Sequence, residues 1–207
     1  MIPGRFLTLS TSTSSVLDQP LNKPRREVAL HSGSFMFRQI VQYALSEVQE
    51  SRKLEDRLHE MGLRVGYKVL DLLCYREKNN KRETRLLGML SFITNNVWRY
   101  CFGRAADLLK SSETDCRQLA ARDTDLVKDA ELVLCRYMHP PQDIRSQVSV
   151  AAYAAGIVEG VLCSGEFVGW GGDRIQPADV TAHDVDGVPT LLVRLIPEVV
   201  FRDKRLA

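Results

Sequence analysis

A charged loop runs into a long apolar helix at RETRLLGML, residues 82–90, and the pattern continues through Val97-Trp98 to FGRAAD at residues 102–107. The spacing predicts a helix from about Glu83 to Tyr100, a break at Gly103 and a short helix over residues 105–110. The apolar face of the long helix consists of Leu86, Leu90, Ile93 and Val97. No nucleophile, metal cluster or glycine-rich phosphate loop accompanies this stretch, so it is typical of a fold and its contact surfaces rather than of a reaction centre.

Length and composition describe an ordinary globular chain. It has 207 residues, of which 44% are hydrophobic and 26% charged, enough to bury a core as one domain. The net charge of +2, from 28 basic and 26 acidic residues, gives no reason to expect nucleic-acid binding. The cysteines form no C-x-x-C pair, which favours reduced thiols in a cytosolic protein. The most apolar run, residues 148–162, contains Glu159 and is shorter than the roughly 20 residues that cross a bilayer.

The first 25 residues differ in composition from the rest. Residues 8–15 are almost entirely serine and threonine, and Pro20 and Pro24 follow. Such a segment buries too little apolar surface to offset its ordering entropy. We therefore expect a disordered tail over residues 1–25, with a phosphorylation target as the alternative, and a single domain over residues 26–207.

The first predicted helix starts after Ser32-Gly33-Ser34, with a serine as its N-cap. Its apolar stripe consists of Phe37, Ile40, Val41, Ala44, Leu45 and Val48. Met36 and Tyr43 widen this stripe beyond one core face, which leaves two interpretations. Either two elements of the same domain cover the helix, or one side docks another chain. For the second interpretation we expect Met36, Tyr43, Leu54 and Met61 as partner anchors.

Two further helices carry glycines one turn apart. A helix from about Leu54 to Cys74 contains Gly62 and Gly66, and one from about Ser146 to Cys163 contains Gly156 and Gly160. Small residues at this spacing let a neighbouring backbone approach closely, and at Gly62 and Gly66 a bend of the helix is the alternative. The loop over residues 76–85 is basic; a solvated loop is the simpler interpretation, and a contact with anionic lipid or an acidic partner is the alternative.

Strand signals occupy the second half of the chain. Residues 132–138 are strand-like and could pair with residues 119–127. Val180–Val185 and Pro189–Ile196 flank Asp186-Gly187, a strong signal for a hairpin with a type I′ turn. A short charged helix over residues 198–206 follows. This order predicts an α+β fold, with helices packed on one face of a small antiparallel sheet made of two hairpins.

Catalytic and cofactor signals are weak. None of the four histidines stands at metal-ligand spacing, so we expect no catalytic residue, metal or cofactor. Glu159 is the one charge in its apolar helix; a satisfied structural carboxylate is the simpler interpretation, and a general acid or base is the alternative. Trp98 and Phe102 fit a core better than a ligand platform. Cys74 and Cys163 stand in apolar surroundings and are expected to be inert.

Several short segments, in register, resemble one protein family. The chain resembles the subunit-5 type of the TRAPP (transport protein particle) complex, in the Bet/Trs family, over about residues 24–205. The matching segments are Pro24-Arg25-Arg26-Glu27-Val28-Ala29-Leu30, Phe35-Met36-Phe37, Val41-Gln42-Tyr43, Gly66-Tyr67-Lys68-Val69-Leu70-Asp71, Arg76-Glu77-Lys78, Lys81-Arg82-Glu83-Thr84-Arg85, Val97-Trp98, Phe102-Gly103, Ala106-Asp107, residues 155–162 and Arg202-Asp203-Lys204. The residues that we assign to its structural motif are Arg82, Glu83, Thr84, Gly103, Gly156, Glu159 and Gly160.

The resemblance implies a non-catalytic structural subunit. It implies partners of the TRAPP subunit-3 type and the sedlin-like subunit-2 type, in a complex that tethers vesicles and exchanges guanine nucleotide on an early-secretory Rab GTPase. It also implies endoplasmic reticulum-to-Golgi transport and a cytoplasmic location, peripheral at the cis-Golgi and endoplasmic reticulum. The subunit-3 type carries an acylated cysteine where this chain has Lys78, so we expect no acyl chain.

Two other classes stay open from the residues alone. A small apolar-ligand-binding protein of related fold is the first, because related α+β folds enclose apolar tunnels. A stand-alone enzyme is the second, although Glu159 is its one candidate residue.

Overall fold

A computed structural model of the chain describes residues 30–48, 51–76, 83, 85–110, 124–136, 138, 148–165, 176–185 and 187–206. Its elements in chain order are α1 (Leu30–Glu47), α2 (Ser51–Arg76), α3 (Leu86–Phe92), a π-helical segment (Ile93–Val97), α4 (Trp98–Phe102), β1 (Asp107–Lys110), β2 (Thr124–Lys128), α5 (Val133–Arg136), α6 (Ala152–Ser164), β3 (Ala178–Val185), β4 (Val188–Leu195) and α7 (Pro197–Leu206). The predicted tail, residues 1–25, lies outside the described residues.

The strands form one four-stranded sheet in the order β1-β2-β4-β3, and every neighbouring pair is antiparallel. Leu126 of β2 pairs with Leu192 of β4, and Val180 of β3 pairs with Val193 of β4. The sheet is thus two pairs of consecutive strands, joined where β2 meets β4. The α+β fold class predicted from the sequence is confirmed.

The second predicted hairpin forms as expected, and the first does not. β3 and β4 flank Gly187, whose φ of 79° is the left-handed conformation that a tight hairpin turn requires; Asp186 lies outside the described residues. Residues 132–138 do not form the predicted strand. Leu132 donates its backbone N–H to the carbonyl of Asp129, and Cys135 donates to Leu132, so the chain turns into helix α5. A short apolar run fits either a helix or a strand, and here the turn at Asp129 decides between them.

The predicted short helix over residues 105–110 is also wrong. Gly103 ends α4 with a φ of 85° and donates to the Arg99 carbonyl, which confirms the predicted break. Asp107–Lys110 then pairs with Thr124–Lys128 as β1, since pairing with a neighbouring strand outweighs the weak helix propensity of four residues.

Helix boundaries shift by one or two turns. α1 begins at Leu30 rather than after the Ser-Gly-Ser sequence, and α6 begins at Ala152 rather than Ser146. The helix predicted from Glu83 to Tyr100 runs from Leu86 to Phe102 and contains the π-helical segment. Nothing in the sequence pattern indicated the π-helical segment.

The core centres on α6, which lies between α2 and the sheet. Ala152 and residues 154–162 are buried. A Cβ atom placed on Gly66 of α2 would lie 2.9 Å from the Cα atom of Gly160, and one on Gly160 would lie 3.1 Å from the Cα atom of Gly66. The two helices therefore touch backbone to backbone, as the glycine spacing predicted. Each added Cβ atom would also overlap a backbone carbonyl oxygen of the facing helix, that of Ile157 for Gly66 and that of Leu63 for Gly160, so glycine is required at this crossing.

The C-terminal helix α7 is hydrogen-bonded to the N-terminus of α3. An Asp203 carboxylate oxygen on α7 accepts the backbone N–H of Leu86 at 2.9 Å. Leu86 is the first residue of α3, so the carboxylate satisfies one of the N–H groups that a helix leaves unpaired at its N-terminus.

Candidate interaction surface

One face of α1 is left uncovered by the rest of the described structure. Phe35, Met36 and Tyr43 are 62%, 68% and 54% exposed, although they are large and mainly apolar. The polar members of this face are Ser32, Gln39, Gln42 and Ser46, all exposed. The charged residue on this face, Glu47 at its C-terminal end, is paired with Arg57 of α2, so the face is apolar or uncharged over the three turns before it, which is unusual for a solvated helix surface.

The opposite face of α1 packs on the chain's own core. Phe37 is 5% exposed, and its ring centroid lies 5.4 Å from that of Tyr153 on α6. Ala44 is fully buried in a small cluster with Leu54 and Leu58 of α2. α1 thus has two faces with apolar side chains, of which one is buried against the chain's own core and the other is exposed.

The four residues predicted as partner anchors separate into two groups. Met36 and Tyr43 are exposed on the open face of α1. Leu54 is 3% exposed and Met61 is half-buried against the same small cluster. Leu54 therefore supports α1 from beneath and is not available to a partner, because the helix that it helps to hold covers it. Periodicity alone gives no way to tell which apolar face of α2 lies inward.

A chain of polar contacts borders the open face where α1 meets α2. The Tyr43 hydroxyl donates to Glu47 Oε1 at 2.7 Å. Arg57 of α2 donates to Glu47 Oε2 from Nε at 3.0 Å and also contacts Glu60 at 2.7 Å. Donation from Tyr43, helped by Arg57, lowers the pKa of the Glu47 carboxyl, and the same hydrogen bond raises the pKa of Tyr43.

The buried Glu159 carboxylate has partners from two other elements. Its Oε1 accepts from Gln176 Nε2 at 2.8 Å, and its Oε2 accepts the Val180 backbone N–H at 3.0 Å. His59 Nε2 of α2 lies 3.2 Å from the same Oε2, in an ion-pair contact. This contact raises the pKa of His59, although partial burial of the ring acts in the opposite direction.

These contacts favour the structural interpretation of Glu159. Both oxygens are occupied, and the carboxylate joins α6 to α2 and to the first residues of β3. A buried carboxylate held in this way stabilises an arrangement of elements and has no oxygen turned toward a substrate. The sequence suggested no partner for it, since His59 stands far away along the chain.

A second buried carboxylate, Asp129, was missed from the sequence. Trp98 Nε1 donates to its Oδ2 at 2.9 Å, and Arg104 forms an ion pair with its Oδ1. Arg104 also reaches Glu131 at 2.8 Å. Trp98 is 1% exposed and its ring lies 4.7 Å from that of Phe102, so these aromatics belong to the core, as predicted. An Asp that follows a strand and precedes a turn is the signal that could have indicated this site.

The remaining motif residues lie at scattered places. Glu83 is exposed beside Gly88, and Gly103 ends α4. Arg82 and Thr84 lie outside the described residues, as does Lys78. The sequence motif therefore does not gather into one described site.

The described cysteines are unreactive by environment. Cys74, Cys101, Cys135 and Cys163 form no disulfide. Burial raises the pKa of Cys101, Cys135 and Cys163 to about 11, so these thiols stay protonated at neutral pH and are poor nucleophiles. Cys116 lies outside the described residues.

A cleft of about 630 Å³ opens between α5, the turn before α6 and the β3–β4 hairpin. Carboxylates of Glu55, Glu131 and Asp184 line it, together with His183 and Arg136. Charged walls disfavour a hydrocarbon ligand. Among the described residues, no three metal-ligating side chains cluster, and no helix is long and apolar enough to cross a bilayer.

Comparison with known proteins gives consistent matches. The family model described as "Transport protein particle (TRAPP) component" matches residues 33–189. The chain is 38% identical over 202 residues to "Trafficking protein particle complex subunit 5" of Dictyostelium discoideum, with 94% of this chain and all of that protein covered. It is 36% identical over 193 residues to the Homo sapiens protein of the same name, with 93% and 94% covered.

A solved structure shares the fold. It is a trafficking protein particle complex subunit 3 from Naegleria fowleri covalently bound to palmitic acid. The TM-score is 0.61 with 14% identity, over 82% of this chain and 96% of that one. At this identity the likeness concerns the fold alone.

Proposed function

Because this chain belongs to the transport protein particle (TRAPP) component family, we propose that it is a structural, non-catalytic subunit of a vesicle-tethering complex. In this proposal the assembled complex, and not this chain, exchanges guanine nucleotide on an early-secretory Rab GTPase during endoplasmic reticulum-to-Golgi transport. The protein is cytoplasmic and lies peripherally at the cis-Golgi and endoplasmic reticulum, held there through the complex. The names of the relatives, which are complex subunits, support the assembly role.

The observation that carries the proposal is the open face of α1. Phe35, Met36 and Tyr43 expose large apolar side chains on a helix whose other face is already buried. Exposed aromatic and methionine side chains on a helix face whose charge is already paired within the chain, as Glu47 is with Arg57, are typical of the centre of a protein interface. We assign this face to a neighbouring subunit, with the TRAPP subunit-3 type as first candidate and the sedlin-like subunit-2 type as second.

The candidate catalytic groups among the described residues are engaged or unreactive. Both oxygens of Glu159 are engaged by structural partners, and the buried thiols are protonated. The cleft near α5 is charged, so it does not favour the alternative of a small apolar ligand.

The test is co-expression with a TRAPP subunit-3 homologue, analysed by size-exclusion chromatography with light scattering. We expect a stable one-to-one complex. Changing Met36→Glu and Tyr43→Glu together should weaken pairing by about 100-fold or more, because two anchors are lost and charges enter an apolar interface. Circular dichroism should show that the double variant keeps its fold.

Phe201→Glu is the matched control. Phe201 is 62% exposed on α7, as exposed as Phe35, but lies outside the proposed face. Pairing should survive this change. Equal loss of pairing in both variants, or full pairing of the Met36/Tyr43 variant, would overturn the placement on α1. A well-behaved monomer that ignores both subunit types would overturn the assembly role itself.

A further inference from the structure

The exposed Tyr43 side chain is hydrogen-bonded to the Glu47 carboxylate, which in turn is paired with Arg57. The Tyr43 hydroxyl donates to Glu47 Oε1 at 2.7 Å, one helical turn farther along α1. The other oxygen, Oε2, receives Arg57 Nε at 3.0 Å and Arg57 NH2 at 2.8 Å. Arg57 belongs to α2, so the orientation of an exposed aromatic side chain on one helix depends on a cation from the next.

The contacts continue along α2. Arg57 NH1 donates to Glu60 Oε2 at 2.7 Å, and Arg64 NH2 donates to Glu60 Oε1 at 2.6 Å. Two carboxylates and two guanidinium groups thus alternate beside the open face. Their charges are matched within the chain, so this border offers a partner no unpaired charge.

We infer that Glu47 and Arg57 are positioning residues, which fix Tyr43 in its bound conformation before a partner arrives. This inference rests on the proposed docking role of α1. An exposed side chain normally loses rotamer freedom on binding, and a ring that is already fixed does not incur that loss again. By this argument the Glu47 contact increases the affinity for the partner between two-fold and about tenfold.

The same geometry specifies the partner. The α1 face presents Phe35, Met36 and a fixed Tyr43 among uncharged polar residues, with self-neutralised charges at its border. A TRAPP subunit that fits it presents an amphipathic helix whose contacting stripe is apolar and uncharged. A charged stripe would bury ions without partners.

A double-mutant cycle tests the inference. The dissociation constant for the subunit-3 homologue is measured by isothermal titration calorimetry for four chains: unchanged, Tyr43→Phe, Glu47→Ala, and both changes together. Each single variant should bind between two-fold and tenfold more weakly. The double variant should bind no more weakly than either single variant, because both changes release the same ring.

Glu60→Ala is the control, since Glu60 contacts Arg57 and Arg64 but not Tyr43. Its affinity should stay within two-fold of the unchanged chain, because Glu60→Ala removes ion pairs within α2 and leaves the Tyr43–Glu47 hydrogen bond and the Glu47–Arg57 pair in place. Additive losses in the double variant would overturn the inference and indicate that Glu47 touches the partner directly. Unchanged affinity of Glu47→Ala would overturn it too. If the Met36/Tyr43 charge variant also binds normally, the docking face itself is wrong.

Discussion

The α2–α6 crossing and the open face of α1 are both helix surfaces, but the first is closely packed within the chain and the second is exposed. At the crossing, Gly66 and Gly160 remove side chains so that two backbones meet, and α6 is buried on nearly every side. On α1, Met36 and Tyr43 carry large side chains that are 68% and 54% exposed. The glycines at the crossing therefore stabilise the fold of this chain, whereas the exposed side chains of α1 are the ones that we propose for contact with another subunit.

The largest effect of a single substitution is expected at the α2–α6 crossing. Gly160→Val should destabilise the fold by about 4 kcal/mol or more, above the usual cost of overpacking, because the new atoms would meet backbone atoms of α2 that cannot rotate away. Urea unfolding followed by circular dichroism measures the loss. A variant that unfolds at the same urea concentration as the unchanged chain would show that the helices are not in backbone contact.

The two faces of α1 should respond differently to the same truncation. Phe37→Ala should cost about 3 kcal/mol of unfolding free energy, since Phe37 is 5% exposed and packs on Tyr153. Phe35→Ala, at a position 62% exposed, should change stability by less than about 0.5 kcal/mol. Thermal and urea unfolding of both variants give the comparison. Equal effects would mean that α1 does not have one closed face and one open face.

The sequence predicted those features of the fold that depend on neighbouring residues, and it failed where distant residues decide. Glycines at helical spacing and Asp186-Gly187 act locally, so the close helix contact and the β3–β4 hairpin were readable in advance. The short segments at β1 and α5 were misassigned, because pairing with β2 and the turn at Asp129 depend on residues distant in sequence or on one side chain. Local pattern does not contain that information.

The candidate site was partly readable for a related reason. Met36 and Tyr43 were predicted as partner anchors because they widen an apolar stripe, a property of one helix, and both are exposed in the structure. Leu54 was misplaced because its burial depends on α1 covering it. The Glu47–Arg57 pair and the His59–Glu159 contact join separate helices, so neither could be found without the tertiary arrangement.

The contact between His59 and Glu159 predicts a pH dependence of the closed interior. The Glu159 carboxylate raises the pKa of His59 in the folded chain, so the folded state binds this proton more tightly than the unfolded state. The stabilisation is therefore complete below the ordinary histidine pKa of about 6.5 and is lost as pH rises through the raised value.

The measurement is urea unfolding at about pH 6 and about pH 8.5, on either side of the ordinary histidine pKa. The unfolding free energy of the unchanged chain should contain a term that falls between these pH values and is missing from His59→Gln. His31→Gln is the control, because His31 lies on the exposed side of α1. A pH dependence that is identical in the unchanged chain and in His59→Gln would show that the ion pair does not contribute.

The smallest prediction concerns a glycine on the open helix. Gly33 of α1 is exposed, and a Cβ atom placed there would meet nothing within 4 Å. Gly33→Ala should therefore stabilise the chain by about 0.5 kcal/mol, because alanine loses less backbone entropy than glycine in a helix. The same alanine at Gly160 should destabilise it, since there the Cβ atom would overlap the backbone carbonyl oxygen of Leu63 on α2. The midpoint of urea unfolding should therefore rise for Gly33→Ala on α1 and fall for Gly160→Ala on α6. A loss of stability at Gly33 would mean that α1 is covered there after all.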